Sequence, residues 1–387
     1  MRKRTRLSVS GWLFPALALI LYSSCKNDGQ PTLTVEVESR SPLKADERIY
    51  ITGNQDALGM WNPARIALKE DGNIWSASFS FAAGTQLEYK FTKGSWDKEA
   101  LNVDRRVPSN HTLTLDQDTI MRYVIEFWRD SLLQMEPEIT GDYRIHDAFP
   151  VKGLDARRVI VWLPPSYGTD TTRKYPVLYM HDGQNVFDPY TSTLGYDWRV
   201  DEIADSLIQK GEIEEFICVA VYCDADVRGS EYSDDPNHGE KYQDFMCCQL
   251  KPWIDSMYRT KSEVEHTAVM GASMGGLISF ILAWEYPDVF SKAACMSPAF
   301  KVKEGSIGVD YVEDVMSTTE RRDIELYIDN GTLDLEARLQ PGIDEMLKTL
   351  DAKEYKYVWY LDEGAPHNER AWSARVWRPL VQFFGKE

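Results

Sequence analysis

The strand-like run His266-Thr-Ala-Val-Met270 passes straight into Gly271-Ala272-Ser273-Met274-Gly275-Gly276. An apolar, helix-length segment follows to Tyr286 and is stopped by Pro287. Few short sequences constrain a fold so strongly. A Gly-x-Ser-x-Gly between a strand and a helix forms a tight turn whose flanks leave no room for side chains, and it lifts the serine above the sheet. The helix start behind it turns free backbone N–H groups toward any carbonyl the serine meets. Ser273 is thus a candidate nucleophile. Across residues 141–387, apolar strand-length runs (158–163, 176–180, 217–222, 293–296, 324–329, 355–361) alternate with helix-length segments (202–210, 242–258, 342–350). That alternation predicts an α/β domain with a mostly parallel sheet.

A serine hydroxyl needs a base to take its proton and a carboxylate to orient the base. Downstream of Ser273 the chain has one histidine, His367, in the loop Glu363-Gly-Ala-Pro-His367-Asn-Glu369 after the last strand. The acid is expected after the preceding strand. Asp334, in the loop Gly331-Thr-Leu-Asp334, lies past the turn where a carboxylate can reach back. Asp329 at the strand end and Glu336 just beyond are the alternatives.

Residues 141–386 resemble the esterase D-like family of α/β-hydrolases. That family includes feruloyl and acetyl xylan esterases of carbohydrate esterase family 1, and siderophore esterases and mycolyltransferases are related to it. The resemblance is carried by Tyr179-Met-His-Asp-Gly-Gln-Asn-Val-Phe187, Trp198-Arg-Val-Asp-Glu202, Lys251-Pro-Trp-Ile-Asp255, the serine motif and the late His367. It implies carboxylic-ester hydrolysis by a triad of Ser273, His367 and Asp334. It also implies an oxyanion hole with one N–H from Met274 and a second from Gln184 or Asn185. His181 reads as structural. Arg228 falls on a loop at the mouth of such a fold, where it either meets substrate or pairs with Glu231.

Residues 32–127 have a different texture, with short alternating strands separated by turn signals such as Asp71-Gly72-Asn73, which predicts an all-β, immunoglobulin-like sandwich. Residues 128–140 read as a linker. The segments Tyr50-Ile-Thr-Gly-Asn54, Leu58-Gly-Met-Trp-Asn-Pro63 and Glu88-Tyr-Lys-Phe-Thr-Lys-Gly-Ser-Trp96 resemble a starch-binding module of family 20. By that resemblance Trp61, Lys90 and Trp96 form a carbohydrate site. Indole faces suit sugar C–H surfaces and an ammonium suits hydroxyls; the alternative is that both indoles pack against the neighbouring domain.

The N-terminus reads as an address. Arg2, Lys3, Arg4 and Arg6 precede an apolar run from Gly11 to Tyr22. That run is too short for a membrane-spanning helix, which needs about 20 residues, and fits a secretory signal. It ends at Tyr22-Ser-Ser-Cys25. This resembles a bacterial lipoprotein signal over residues 1–24, with Cys25 lipidated, residues 25–31 as a tether, and the protein exported and anchored to the outer membrane. A net charge of −18 disfavours nucleic acid as a partner. No Cys/His spacing suits zinc, and loop acids such as Asp224, Asp226, Asp234 and Asp235 read as solvated, so neither metal nor cofactor is expected. Cys223 could pair with Cys247 or Cys248. The reading that follows is an exported serine esterase acting on acylated carbohydrate. A siderophore-type esterase is the alternative, and the sugar-binding domain argues against it. A carbohydrate-binding lipoprotein with a silent hydrolase domain is opposed by the complete Ser, acid, His order.

Overall fold

The computed structural model describes residues 30–103, 105–132, 137–304 and 307–386. Cys25 and the whole expected signal lie outside the described residues.

The first domain comprises β1 (Thr32–Ser39), β2 (Tyr50–Gly53), β3 (Ile66–Ala67), β4 (Lys69–Asp71), β5 (Ile74–Ser80), β6 (Thr85–Thr92), β7 (Ala100–Leu101), β8 (His111–Leu115), β9 (Thr119–Ile125) and β10 (Phe127–Trp128). Two four-stranded sheets, β4-β5-β1-β9 and β3-β2-β6-β8, make the expected sandwich, and β7 pairs with β10. Period-two patterning sets the core. Leu33, Val35 and Val37 of β1 point inward onto Ile51, Leu87, Tyr89 and Phe91 of the facing sheet, while the residues between them face outward.

The second domain is built on an eight-stranded sheet of β11 (Asp142–Phe149), β12 (Arg157–Leu163), β13 (Val177–Met180), β14 (Ile217–Val221), β15 (Thr267–Ala272), β16 (Lys292–Met296), β19 (Glu325–Asn330) and β20 (Tyr357–Leu361). A hairpin of β17 (Lys301–Glu304) and β18 (Ile307–Asp310) stands apart. The sheet order is β11-β12-β14-β13-β15-β16-β19-β20, antiparallel from β11 to β14 and parallel from there on. Apolar clusters cover both faces, which is why β13, β14 and β15 read as unbroken apolar runs and are buried throughout. Ser273 follows the last residue of β15, which lies between β13 and β16. In open α/β sheets ligands bind at this carboxyl end of the strands.

The two domains meet along the loop of residues 188–199. Gly195 adopts positive φ (72°) and comes so close to the sandwich that a Cβ on it would stand 2.9 Å from the Val107 nitrogen. Two guanidinium groups lie over the Tyr196 ring, Arg106 of the sandwich at 4.5 Å and Arg370 of the hydrolase domain at 4.2 Å. Clefts of about 880 and 390 Å³ include residues from both sides of this boundary. Among the described residues no helix is long and apolar enough to cross a membrane. Cys218, Cys223, Cys247, Cys248 and Cys295 are unpaired, so neither the Cys223–Cys247 nor the Cys223–Cys248 pairing is formed.

Candidate active site

Ser273 sits at φ 60°, ψ −122°, a conformation costly for any residue with a side chain. The turn is held from three sides. The Ser273 N–H donates to the Met296 carbonyl (3.0 Å), and the Ser273 carbonyl accepts from Leu277 (3.1 Å) and Ala299 (3.1 Å). Only glycine fits at Gly271, where a Cβ would lie 2.5 Å from the Gly275 carbonyl oxygen; one at Gly276 would stand a tight 3.0 Å from that of Met296. The helix Met274–Glu285 starts at once, so its first N–H groups have no intrahelical acceptor.

His367 lies where the sequence placed it, but its partner differs. The imidazole Nδ1 is 3.0 Å from Glu336 Oε2, and the Glu336 side chain is fully buried. Asp334 is exposed, at φ 55°, immediately before the helix Leu335–Ala352. Glu336 therefore replaces Asp334 as the carboxylate beside the His367 imidazole. The reason is local. Thr332 and Leu333 donate to the Ala365 carbonyl (3.1 and 3.2 Å) and Gly364 donates to Thr332 Oγ1 (2.8 Å), so the acid loop is stapled to the histidine loop. The helix then begins with Leu335, and the longer side chain of Glu336 reaches the imidazole from its first turn, where the helix dipole favours a carboxylate.

The other Glu336 oxygen accepts from Ser297 Oγ (2.7 Å), which itself receives Trp372 Nε1 (3.0 Å) and Arg375 Nη2 (2.8 Å). Asp329, the second alternative, is fully buried but bound to Arg375 Nε (3.0 Å) and the Ser297 N–H (3.1 Å). Ser273 and Glu336 thus both bond to the turn of residues 296–299. The Trp372 ring meets the His367 ring edge-on, 4.9 Å between centroids.

The loop after β13 carries the other oxyanion candidates. Asp182 adopts φ 55°, and Gly183 is pressed against β14, where a Cβ would stand 2.7 Å from Val221 backbone. The Asn185 N–H donates to the Asp182 carbonyl (2.8 Å), and its side chain bonds the Thr193 N–H (2.8 Å) and Glu369 (3.2 Å). The Gln184 N–H lies in the first turn of the short helix Gly183–Asn185, where no intrahelical carbonyl reaches it. Among the described residues the Asn185 N–H is engaged by the Asp182 carbonyl, which leaves Gln184 as the oxyanion candidate of the two.

Two features were not legible in the sequence. Arg228 holds Asp182 with two hydrogen bonds (2.6 and 2.7 Å) rather than pairing with Glu231, which is bound twice by Arg157 (2.9 Å each). Burial alone would raise the Asp182 carboxyl, but the Arg228 guanidinium outweighs it and holds the carboxyl below its ordinary value. This pair packs against Gly275, whose Cβ would lie 3.1 Å from Asp182 Oδ2. His181 is structural as expected: it is buried, bonded to Tyr242 (2.8 Å), and burial lowers its pKa to about 3. Asp197, Asp201 and Glu202 each offer an oxygen within 4.8 Å of the others. Burial, with repulsion from Glu202, pushes the Asp197 and Asp201 carboxyls up from their ordinary values.

In the sandwich, Lys90 pairs across strands with Thr52, and the Trp61 N–H bonds the adjacent Gly53 carbonyl (3.0 Å), so these two residues share one region. Trp61 has φ 61° and is half-buried; Trp96 opens a short turn beyond β6 and is 39% exposed. The Lys90 ammonium rests on Glu99 (3.3 Å), and Lys90 lines the smaller interdomain cleft with Tyr196, Asn368 and Arg370.

Residues 155–380 match the family model Esterase, described as "Putative esterase", and residues 32–119 match the model Starch binding domain. The chain is 26% identical over 222 residues to the endo-1,4-beta-xylanase/feruloyl esterase of Xylanibacter ruminicola, covering 55% of this chain and 27% of that one. It spans 57% of another curated relative, so the matches are to parts of those proteins. A ferulic acid esterase structure superposes with a TM-score of 0.53 at 23% identity, covering 63% of this chain and 99% of its own. The enterobactin esterase FES from Shigella flexneri superposes with a TM-score of 0.54 at 13% identity, covering 93% and 94%. These likenesses are of fold. The esterase model spans more than half of the sequence and includes Ser273, Glu336 and His367, and on that match the chain belongs to this esterase family, with a starch-binding domain in front of its α/β-hydrolase domain.

Proposed function

We propose that the protein hydrolyses carboxylic esters carried by carbohydrates, with Ser273 as nucleophile, His367 as base and Glu336 as the acid that orients the base. The observation that carries this reading is the His367–Glu336 bond beside a strained serine turn. Ser273 Oγ attacks the ester carbonyl while His367 Nε2 takes its proton. Glu336 keeps the Nδ1–H in place and stabilises the imidazolium. The Met274 and Gln184 N–H groups stabilise the oxyanion. His367 then returns the proton to the leaving sugar alcohol, and water releases the acyl group by the same steps in reverse order. The starch-binding domain supports a glycan as the carrier, with Trp61, Lys90 and Trp96 as its contacts. Export and lipid anchoring at Cys25 belong to the proposal on the sequence of residues 2–25 alone, and mass spectrometry of the mature N-terminus tests them.

Turnover of p-nitrophenyl acetate and of acetylated, feruloylated and siderophore esters tests the chemistry. Ser273→Ala and His367→Ala should each lose on the order of 10⁴- to 10⁶-fold in kcat. Glu336→Gln should lose on the order of 10³- to 10⁴-fold, whereas exposed Asp334→Asn should stay within about twofold. Full activity in Glu336→Gln with loss in Asp334→Asn would overturn the assignment of the acid.

A further inference from the structure

We propose that the starch-binding domain is a working part of the esterase site, and that Arg129 is the residue through which it positions the oxyanion loop. Arg129 opens the short helix Arg129–Leu132 in the segment that reads as the linker, directly after β10 of the sandwich. It is anchored there by Glu99: its N–H donates to the Glu99 carbonyl (3.0 Å) and its Nη1 to Glu99 Oε1 (3.3 Å). The guanidinium then crosses the domain boundary. Nη2 donates to the carbonyls of Thr191 (3.5 Å) and Ser192 (2.6 Å), and Nη1 to that of Thr193 (3.2 Å).

Three consecutive carbonyls turned toward one point repel each other unless a cation sits there. A planar fork of donors meets them better than a point charge. The turn so held is the one that grips both oxyanion candidates. Thr191 Oγ1 donates to the Gln184 carbonyl (2.7 Å), and the Thr193 N–H donates to Asn185 Oδ1 (2.8 Å). Asn185 in turn donates to Glu369 (3.2 Å), two residues beyond His367. A cation anchored to the sandwich thereby fixes a turn, the turn fixes Gln184, and Gln184 presents the N–H assigned to the oxyanion. Stabilisation of a developing charge depends steeply on donor position. The inference rests on the proposed serine mechanism.

The test uses the full chain and p-nitrophenyl acetate, with kcat expressed per serine titrated to its end point by a fluorophosphonate. Arg129→Met should lower kcat on the order of 10- to 100-fold, with KM moving by less than about threefold. Arg129→Lys should recover part of the loss, because it keeps the charge without the fork. Glu99→Gln, which loosens the anchor but leaves Arg129 in place, should show a smaller loss of the same kind. Turnover per titrated serine equal to wild type in both Arg129 variants overturns the proposal. So does a loss fully matched by fewer titratable serines, since Arg129 would then only cement the domains. If Ser273→Ala is inactive while the Arg129 variants turn over normally, this inference alone falls. If Ser273→Ala stays active, the serine mechanism falls and takes the inference with it.

Discussion

Glu369 is 6% exposed, and its Oε2 has no partner among the described residues. Burial raises this carboxyl from an ordinary 4.5 to about 7. The consequence for stability has a definite sign. Between about pH 4.5 and 7 the unfolded chain releases the proton while the folded one keeps it, so the folded state binds more protons and loses stability as pH rises. The contribution is fully present below the unfolded value and gone once pH passes the folded one. Glu369→Gln removes this titration and keeps an acceptor for Asn185. Its unfolding midpoint in urea, relative to wild type, should therefore shift in favour of the variant between pH 5 and pH 8. A pH-independent difference would mean that the folded carboxyl titrates normally. Nothing in the sequence marked Glu369 beyond its place after His367, because burial of a single carboxyl is set by tertiary contacts.

Among the elements, the serine turn was legible because its requirement is steric and local. Gly271→Ala makes that requirement measurable. The new methyl would stand 2.5 Å from the Gly275 carbonyl oxygen, a backbone atom that cannot rotate away. The substitution should cost at least the ~1–3 kcal/mol typical of overpacking, read as a lower urea midpoint; a cost under ~0.5 kcal/mol would show that the turn can relax. Parallel strands were legible for a similar reason, since burial on both faces leaves unbroken apolar runs. Strand β11 was not expected: its edge position leaves Asp142, Arg144 and Asp147 in a polar stretch. The sequence marks only 342–350 as helix-length, whereas the observed helix is Leu335–Ala352 and carries inside it Pro341, a residue that usually ends one. With the helix beginning at 335, Asp334 falls outside it and Glu336 in its first turn.

At the scale of the whole molecule, two domains were legible as two periodicities, one of alternating strands and one of strands with helices. The seam between them was not. It is made of cation–π contacts at Tyr196 and of Arg129 on backbone carbonyls, and neither leaves a repeat in the sequence. The division of labour can still be tested. Trp96 is exposed and Trp61 half-exposed, and neither belongs to the described apolar cores. Trp61→Ala with Trp96→Ala should abolish retention on insoluble starch, since stacked rings dominate shallow sugar sites. Hydrolysis of p-nitrophenyl acetate should stay near wild type. Retention by the double variant would rule out the platform.

The close approach of Gly195 to Val107 bears on anyone who would shorten this enzyme. A glycine there has no side chain to shield the hydrolase domain, because the sandwich already covers that ground. Trimming the chain to its catalytic half would expose the Tyr196 ring, strip the three carbonyls of residues 191–193 of their cation, and leave a frayed edge one loop away from the serine. A smaller catalyst would need that edge rebuilt, beginning with a guanidinium supplied from within the remaining chain.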